Sequence, residues 1–142
     1  MEKSRRVSKT VGERLRELVQ PEAAHGGCST IRLSLPAHPC NPNSRAHWAV
    51  KARAVKALRT EAYLVAATTR NQFSHPLISA TFYHAAKRVR DRDNAIASLK
   101  GAIDGLVDGA VFANDALVQW GAIEFCIDKD DPHVVLLIKE MP

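Results

Sequence analysis

Cysteine is scarce in this chain: Cys28, Cys40 and Cys126 are the only three. An odd number with no Cys-x-x-Cys spacing argues against a disulfide framework and against a thiolate zinc site, and makes a reducing cytoplasm the expected setting. Long apolar runs are also missing. No stretch approaches the roughly 20 residues that a membrane span requires, so no membrane partner is expected. The first ten residues are charged and lack the apolar segment of a secretory leader. The histidines show no metal-ligand spacing. Acids are sparse in the first part of the chain: up to residue 60 there are four, Glu2, Glu13, Glu17 and Glu22, against twelve lysines and arginines, a local excess of eight.

The acids return between Asp91 and Asp131. A net charge of +5 and a basic isoelectric point suggest an anionic partner. The apolar share of 46% and the charged share of 25% are those of an ordinary globular protein. At 142 residues the length suits one domain.

Residues 1–28 read as a basic N-terminal extension, helical in part through Val11, Leu15, Leu18 and Val19, ahead of a domain spanning 29–142. Ile31 to Leu35 alternates as a half-buried strand does. After a loop rich in proline and asparagine, Ser44 is expected to cap a helix from about Ala46 to Thr68. Val50, Ala54, Ala57, Leu58 and Val65 would form its packed face. Arg45, Lys56 and Arg59 would form a basic ridge about 20 Å long on the other side. Trp48, near Pro42, is expected as a packing anchor.

Leu77 to Ala85 reads as a second strand and Asp93 to Val107 as a second helix, with Ile96, Leu99, Ile103 and Leu106 buried and Asp108-Gly109 as its stop. Leu117–Ile127 and His133–Lys139 read as strands joined by the turn Asp128–Pro132 in an antiparallel hairpin. The expected fold is α/β with an α+β character: one β-α-β-α-β-β domain with a mixed sheet and packed helices.

The chemistry is concentrated in Arg90-Asp91-Arg92-Asp93-Asn94, followed by Lys100, Asp104 and Asn114-Asp115. An extended backbone would point Asp91 and Asp93 to one side. On a continuous helix Lys100 and Asp104 fall within about 20° of Asp93. Carboxylates in a basic chain are explained by Mg²⁺, with Mn²⁺ as a substitute, because oxygen-only ligands suit these ions rather than zinc. Asp91, Asp93 and Asp115 are the expected metal ligands, Lys100 the cation at the scissile phosphate, and Asn94, Asp104 and Asn114 their supports. Arg45, Lys56, Arg59, Lys87, Arg88, Arg90 and Arg92 are the expected phosphate contacts. A dehalogenase-like phosphotransfer site needs an apolar strand before its first aspartate, and Lys87-Arg88-Val89-Arg90 stands there instead.

With these motifs, together with Leu35-Pro36 and Asn43-Ser44-Arg45-Ala46-His47-Trp48, the region from about Ile31 to Glu140 resembles the RusA family of Holliday junction resolvases, the prophage type especially. The resemblance implies a cytoplasmic, bacterial or phage-encoded endodeoxyribonuclease that uses Mg²⁺ on Asp91, Asp93 and Asp115, with Lys100 catalytic. It implies a homodimer that places paired nicks in a four-way junction during recombination and repair. An isologous dimer delivers two symmetry-related cuts naturally. Many relatives carry Asp-Asp where this chain has Asn114-Asp115. Two other classes are weighed against this one: a non-catalytic DNA-binding protein, and a metal-dependent phosphatase or phosphotransferase.

Overall fold

Period-two burial builds the sheet. In a computed structural model, which describes residues 19–20, 27–69 and 71–142, the strands are β1 (Val19–Gln20), β2 (Cys28–Ser34), β3 (Pro76–His84), β4 (Gln119–Ile127) and β5 (His133–Glu140). Ser29, Ile31 and Leu33 of β2 are buried, as are Ile78, Ala80 and Phe82 of β3 and Val134, Leu136 and Ile138 of β5. The strand registers set these residues side by side: Ile31 beside Leu136 beside Ala80, and Leu33 beside Val134 beside Phe82. One face of three strands thus becomes a continuous apolar layer. The other helical and terminal expectations for residues 1–28 lie mostly outside the described residues. Val19, which helical spacing assigned to a helix, pairs with Ile31 as a strand.

The sheet order is β1-β2-β5-β3-β4, antiparallel throughout except for the parallel pair β3–β4. The expected hairpin is therefore corrected: β4 and β5 flank β3 and do not pair. Stepping over one strand covers about 10 Å, which a five-residue turn reaches as easily as a hairpin closes. Asp128, the first turn residue, donates its N–H to the carbonyl of His84 at the end of β3. A parallel β3–β4 pair needs a helical crossover, and residues 85–118 supply it.

Two helices matter most for the core. Helix α1 (Trp48–Ala66) buries Leu58, Ala62, Val65 and Ala66. Val50 and Ala57, expected on that face, are exposed, because the helix meets its partner through its second half. His47, rather than Ser44, caps α1: its ring nitrogen accepts from the N–H of Ala49. Ser44 lies too early for the helix and its hydroxyl accepts from Ala46 N–H.

The expected continuous helix is two: α2 (Arg92–Ser98) and α3 (Lys100–Asp108), broken at Leu99, whose ψ of 0° and bond to Ile96 form a tighter, three-residue turn. Helix α3 buries Gly101, Ala102, Ile103, Gly105 and Leu106, whereas α2 buries no residue fully. Glycines at 101, 105 and 109 repeat every four residues along the side of α3 that faces α1. A Cβ at Gly105 would lie 2.2 Å from the Arg59 carbonyl oxygen, and one at Gly109 would lie 2.3 Å from the Ala66 Cβ. The two helices meet backbone to backbone. Because Gly109 serves this contact at φ −84°, the left-handed residue that turns the chain after α3 is Ala110, at φ 61°. Among the described residues no helix is long and apolar enough to cross a membrane.

Candidate functional site

Lys100 opens α3 and Asp104 stands one turn further along, so both project from the same side of the helix. The reversal at Ala110 buries Val111 and Phe112 and returns the chain to that side at Asn114-Asp115. Asn114 caps the short 3-10 turn Asp115–Leu117 by accepting Ala116 N–H at 2.9 Å, which fixes Asp115 just before β4. The Lys100 ammonium donates to Asp104 Oδ1 at 2.9 Å and to Asp115 Oδ2. Its hydrogen bonds to Asp115 and then Asp104 raise the Lys100 pKa above that of an ordinary lysine. The same ammonium pulls the Asp115 carboxyl below the ordinary range. At neutral pH the cluster is one cation held between two anions.

Asp104 and Asp115 line a shallow cleft of about 150 Å³, together with Arg59, Asp108 and Asn114 among others. Arg59 grips Asp108 with two bonds, Nε to Oδ2 at 2.6 Å and a terminal nitrogen to Oδ1 at 2.9 Å. That pairing raises the arginine pKa and lowers the aspartate pKa. Asp108, expected only to close a helix, is thus the partner of a residue 49 positions earlier. No spacing in the sequence signals it. The glycine contact explains it: only helices in backbone contact bring Arg59 within reach of the last turn of α3.

Asp91 and Asp93, the other half of the expected cluster, stand at the start of α2. Strand β3 ends at His84, so Asp91 and Asp93 do not sit on an extended strand. Asp91 is the N-cap of α2, its carboxylate accepting Asp93 N–H at 3.1 Å, and Asp93 occupies the first turn beside an exposed surface. Asn94 follows, half-buried. Asp93 thus stands on α2, whereas Lys100 and Asp104 stand on α3 beyond the tighter turn at Leu99. No hydrogen bond or ion pair among the described residues joins Asp91 or Asp93 to Lys100, Asp104 or Asp115. Nor does any group of three or more His, Cys, Asp and Glu among the described residues gather to hold a metal. The donors are chemically right for Mg²⁺, but this arrangement does not assemble the three expected ligands.

The expected basic contacts divide in two. Arg45, Lys56, Lys87 and Arg88 are exposed and have no protein partner among the described residues. Arg59 is held by Asp108, Arg92 donates to the Gly121 carbonyl at 3.2 Å, and Arg90 reaches the Ala86 carbonyl at 3.5 Å. Trp48, expected as an anchor, is instead 74% exposed beside the His47 ring at the start of α1. The buried residues of that helix, Leu58, Ala62, Val65 and Ala66, lie in its second half, away from Trp48. Its exposed indole is a surface on which a base can stack.

The chain matches no family model and no curated protein.

Proposed function

We propose that this protein is a structure-selective endodeoxyribonuclease that cuts four-way DNA junctions as a homodimer, with Mg²⁺ as its ion. The observation that carries the reading is the contact between Lys100 and Asp115, fifteen residues apart, at the edge of a cleft. It joins the Lys-x-x-x-Asp and Asn-Asp elements on which the resemblance to RusA resolvases rests. Lys100 would offset charge on the phosphodiester undergoing cleavage, and Asp104 would hold it. Arg45, Lys56, Lys87 and Arg88 would take flanking phosphates, and Trp48 would stack on a base opened at the branch. Asp91, Asp93 and Asp115 are the proposed ion ligands. Since they do not surround a common point here, no chemical step is assigned to the ion.

One observation favours a second reading. Asp91 already has a structural role as the cap of α2, which is what a DNA-binding protein without catalysis would need of it. Side-by-side incubation of four-way junction, flap and linear duplex, with and without Mg²⁺, separates the two. Paired symmetrical nicks on the junction alone, only with Mg²⁺, are expected. Junction binding without any cleavage would leave the non-catalytic reading standing.

Affinity should also fall steeply with salt, log affinity losing about 0.9 per tenfold in salt for each phosphate neutralised on duplex DNA. Lys56→Ala is expected to lower that slope by about one such unit. Arg59→Ala should change it less, because Asp108 already occupies the guanidinium. Fluorescence anisotropy from 50 to 300 mM salt, roughly the range over which phosphate contacts are lost, checks both. An unaltered slope for Lys56→Ala would remove α1 from the DNA-contacting surface.

A further inference from the structure

The first two turns of α1 run out past the start of α3. The close approaches of Gly101 to Val55, Gly105 to Arg59 and Ala62, and Gly109 to Ala66 advance together, so the two helices lie side by side and point the same way. Helix α3 starts at Lys100, next to the glycine that meets Val55. Helix α1 starts at Trp48, seven residues before Val55, which is about 10 Å further out. Seven residues are also close to two turns. Trp48 therefore falls within about 20° of Val55, on the side of α1 that α3 covers further along. At this end that side is open: Trp48 is 74% exposed, and Ala52, between it and Val55, is exposed as well.

Cations border this apolar line. Lys51 lies about 60° to one side of Trp48 around the helix axis and Lys56 about 80° to the other, with Arg45 just before the helix. None of the three has an ion-pair partner among the described residues. Residues 23–60 contain no Asp or Glu, so the positive field here is not cancelled locally. The indole also has a fixed neighbour. His47 caps α1, and its ring lies 5.4 Å from that of Trp48, tilted by 38°. An aromatic face between two lysines takes an unpaired base on the ring and the adjoining phosphates on the ammonium groups. Paired bases stack on one another and offer the indole no face.

We propose that the leading end of α1 is a binding site for single-stranded DNA in its own right, with Trp48 as the base platform and Arg45, Lys51 and Lys56 as phosphate contacts. The inference rests on the reading above only in choosing DNA as the nucleic acid. It needs neither a junction nor cleavage.

The test is fluorescence anisotropy of a labelled oligodeoxythymidine of about 12 nucleotides, within the usual footprint of a single-strand site, and of a duplex of the same length. The full chain is used without Mg²⁺, and urea midpoints confirm that each variant is folded. Trp48→Ala is expected to weaken single-strand binding about 5- to 150-fold, the worth of one base–aromatic stack, and duplex binding by no more than about twofold. Trp48→Phe should keep single-strand affinity within about threefold, because a ring remains. Lys51→Ala should lower the single-strand salt slope by about 0.7, whereas Trp48→Ala leaves that slope alone. An equal Trp48→Ala loss on both probes, or none on oligodeoxythymidine, overturns the site. Failure of the wild type to bind oligodeoxythymidine at low salt overturns it as well and gives this end of α1 to a protein partner. Tighter binding of oligouridine overturns the choice of DNA. Single-strand binding by a protein that leaves junctions intact would defeat the nuclease reading and not this one.

Discussion

Asp93→Asn should bind a four-way junction about as well as the wild type and cleave it at least about 100-fold more slowly, since even residues that only support a metal ligand are worth about 10–100-fold. The structure makes this variant a clean probe. The Asp93 carboxylate is exposed in the first turn of α2 and makes no hydrogen bond among the described residues. Its amide swap costs the fold only a favourable interaction with the helix N-terminus, about 0.3–1 kcal/mol. A loss of cleavage therefore reports chemistry. Asp91→Asn serves alongside it, because asparagine caps a helix as well as aspartate does. Asp91→Ala would confuse a lost cap with a lost ligand. If purified Asp93→Asn still nicks the junction at the wild-type rate, Asp93 holds no catalytic ion.

Gly105→Ala should destabilise the fold by about 3 kcal/mol or more, at or above the usual range for overfilling a packed interior. The added methyl carbon would stand 2.2 Å from the carbonyl oxygen of Arg59 and 2.8 Å from the Ala62 Cβ. Both belong to the side of α1 that meets α3, and neither a carbonyl oxygen nor a Cβ can rotate aside. Gly121→Ala is the control. There the nearest atom is the Ser79 hydroxyl at 2.6 Å, the end of a side chain that can turn away, so a cost below about 1 kcal/mol is expected. Urea unfolding of the two variants measures both numbers. Against a typical stability of 5–15 kcal/mol, the first loss is large and the second minor. Equal costs would mean that α1 and α3 separate easily, and the cleft that depends on their approach would lose its basis.

The same glycine repeat shows how far the sequence could be read. Residues 101, 105 and 109 stand in plain view at a four-residue interval, and of the apolar stripe Ile96, Leu99, Ile103 and Leu106 that periodicity marks, all but the half-buried Ile96 are buried. What periodicity left open was which element the glycines meet. The partner backbone at Arg59 lies 46 residues earlier. The Arg59–Asp108 pair follows from that contact, and so had no local signature. The division at Leu99 escaped for a different reason: Asn94 to Gly105 contains no proline, so nothing marks where one helix ends and the next begins. The geometric argument aligning Asp93 with Lys100 and Asp104 assumed one axis. Lys100 and Asp104 lie wholly on α3 and share a hydrogen bond, whereas Asp93 lies on α2, across the division.

Trp48 and the β4–β5 connection show the same limit on the surface. An indole next to a proline-rich loop is read as an anchor, yet burial depends on what crosses the start of α1, and the core passes it by. A five-residue turn is read as a hairpin, yet the strand inserted beside it is set by β3 seeking partners on both edges.

By itself the sequence determined the strands with alternating apolar residues, the long helix through Leu58 and Val65, and the split between a basic first half and acids after Asp91. The first two are local patterns, where chain geometry converts spacing directly into a face, and the third is composition alone. Only the tertiary structure decided the sheet order, the backbone contact between α1 and α3, and the seating of Lys100 between Asp104 and Asp115. Each of those depends on chain segments far apart in sequence meeting in space, and the length of a loop does not encode which neighbour it reaches.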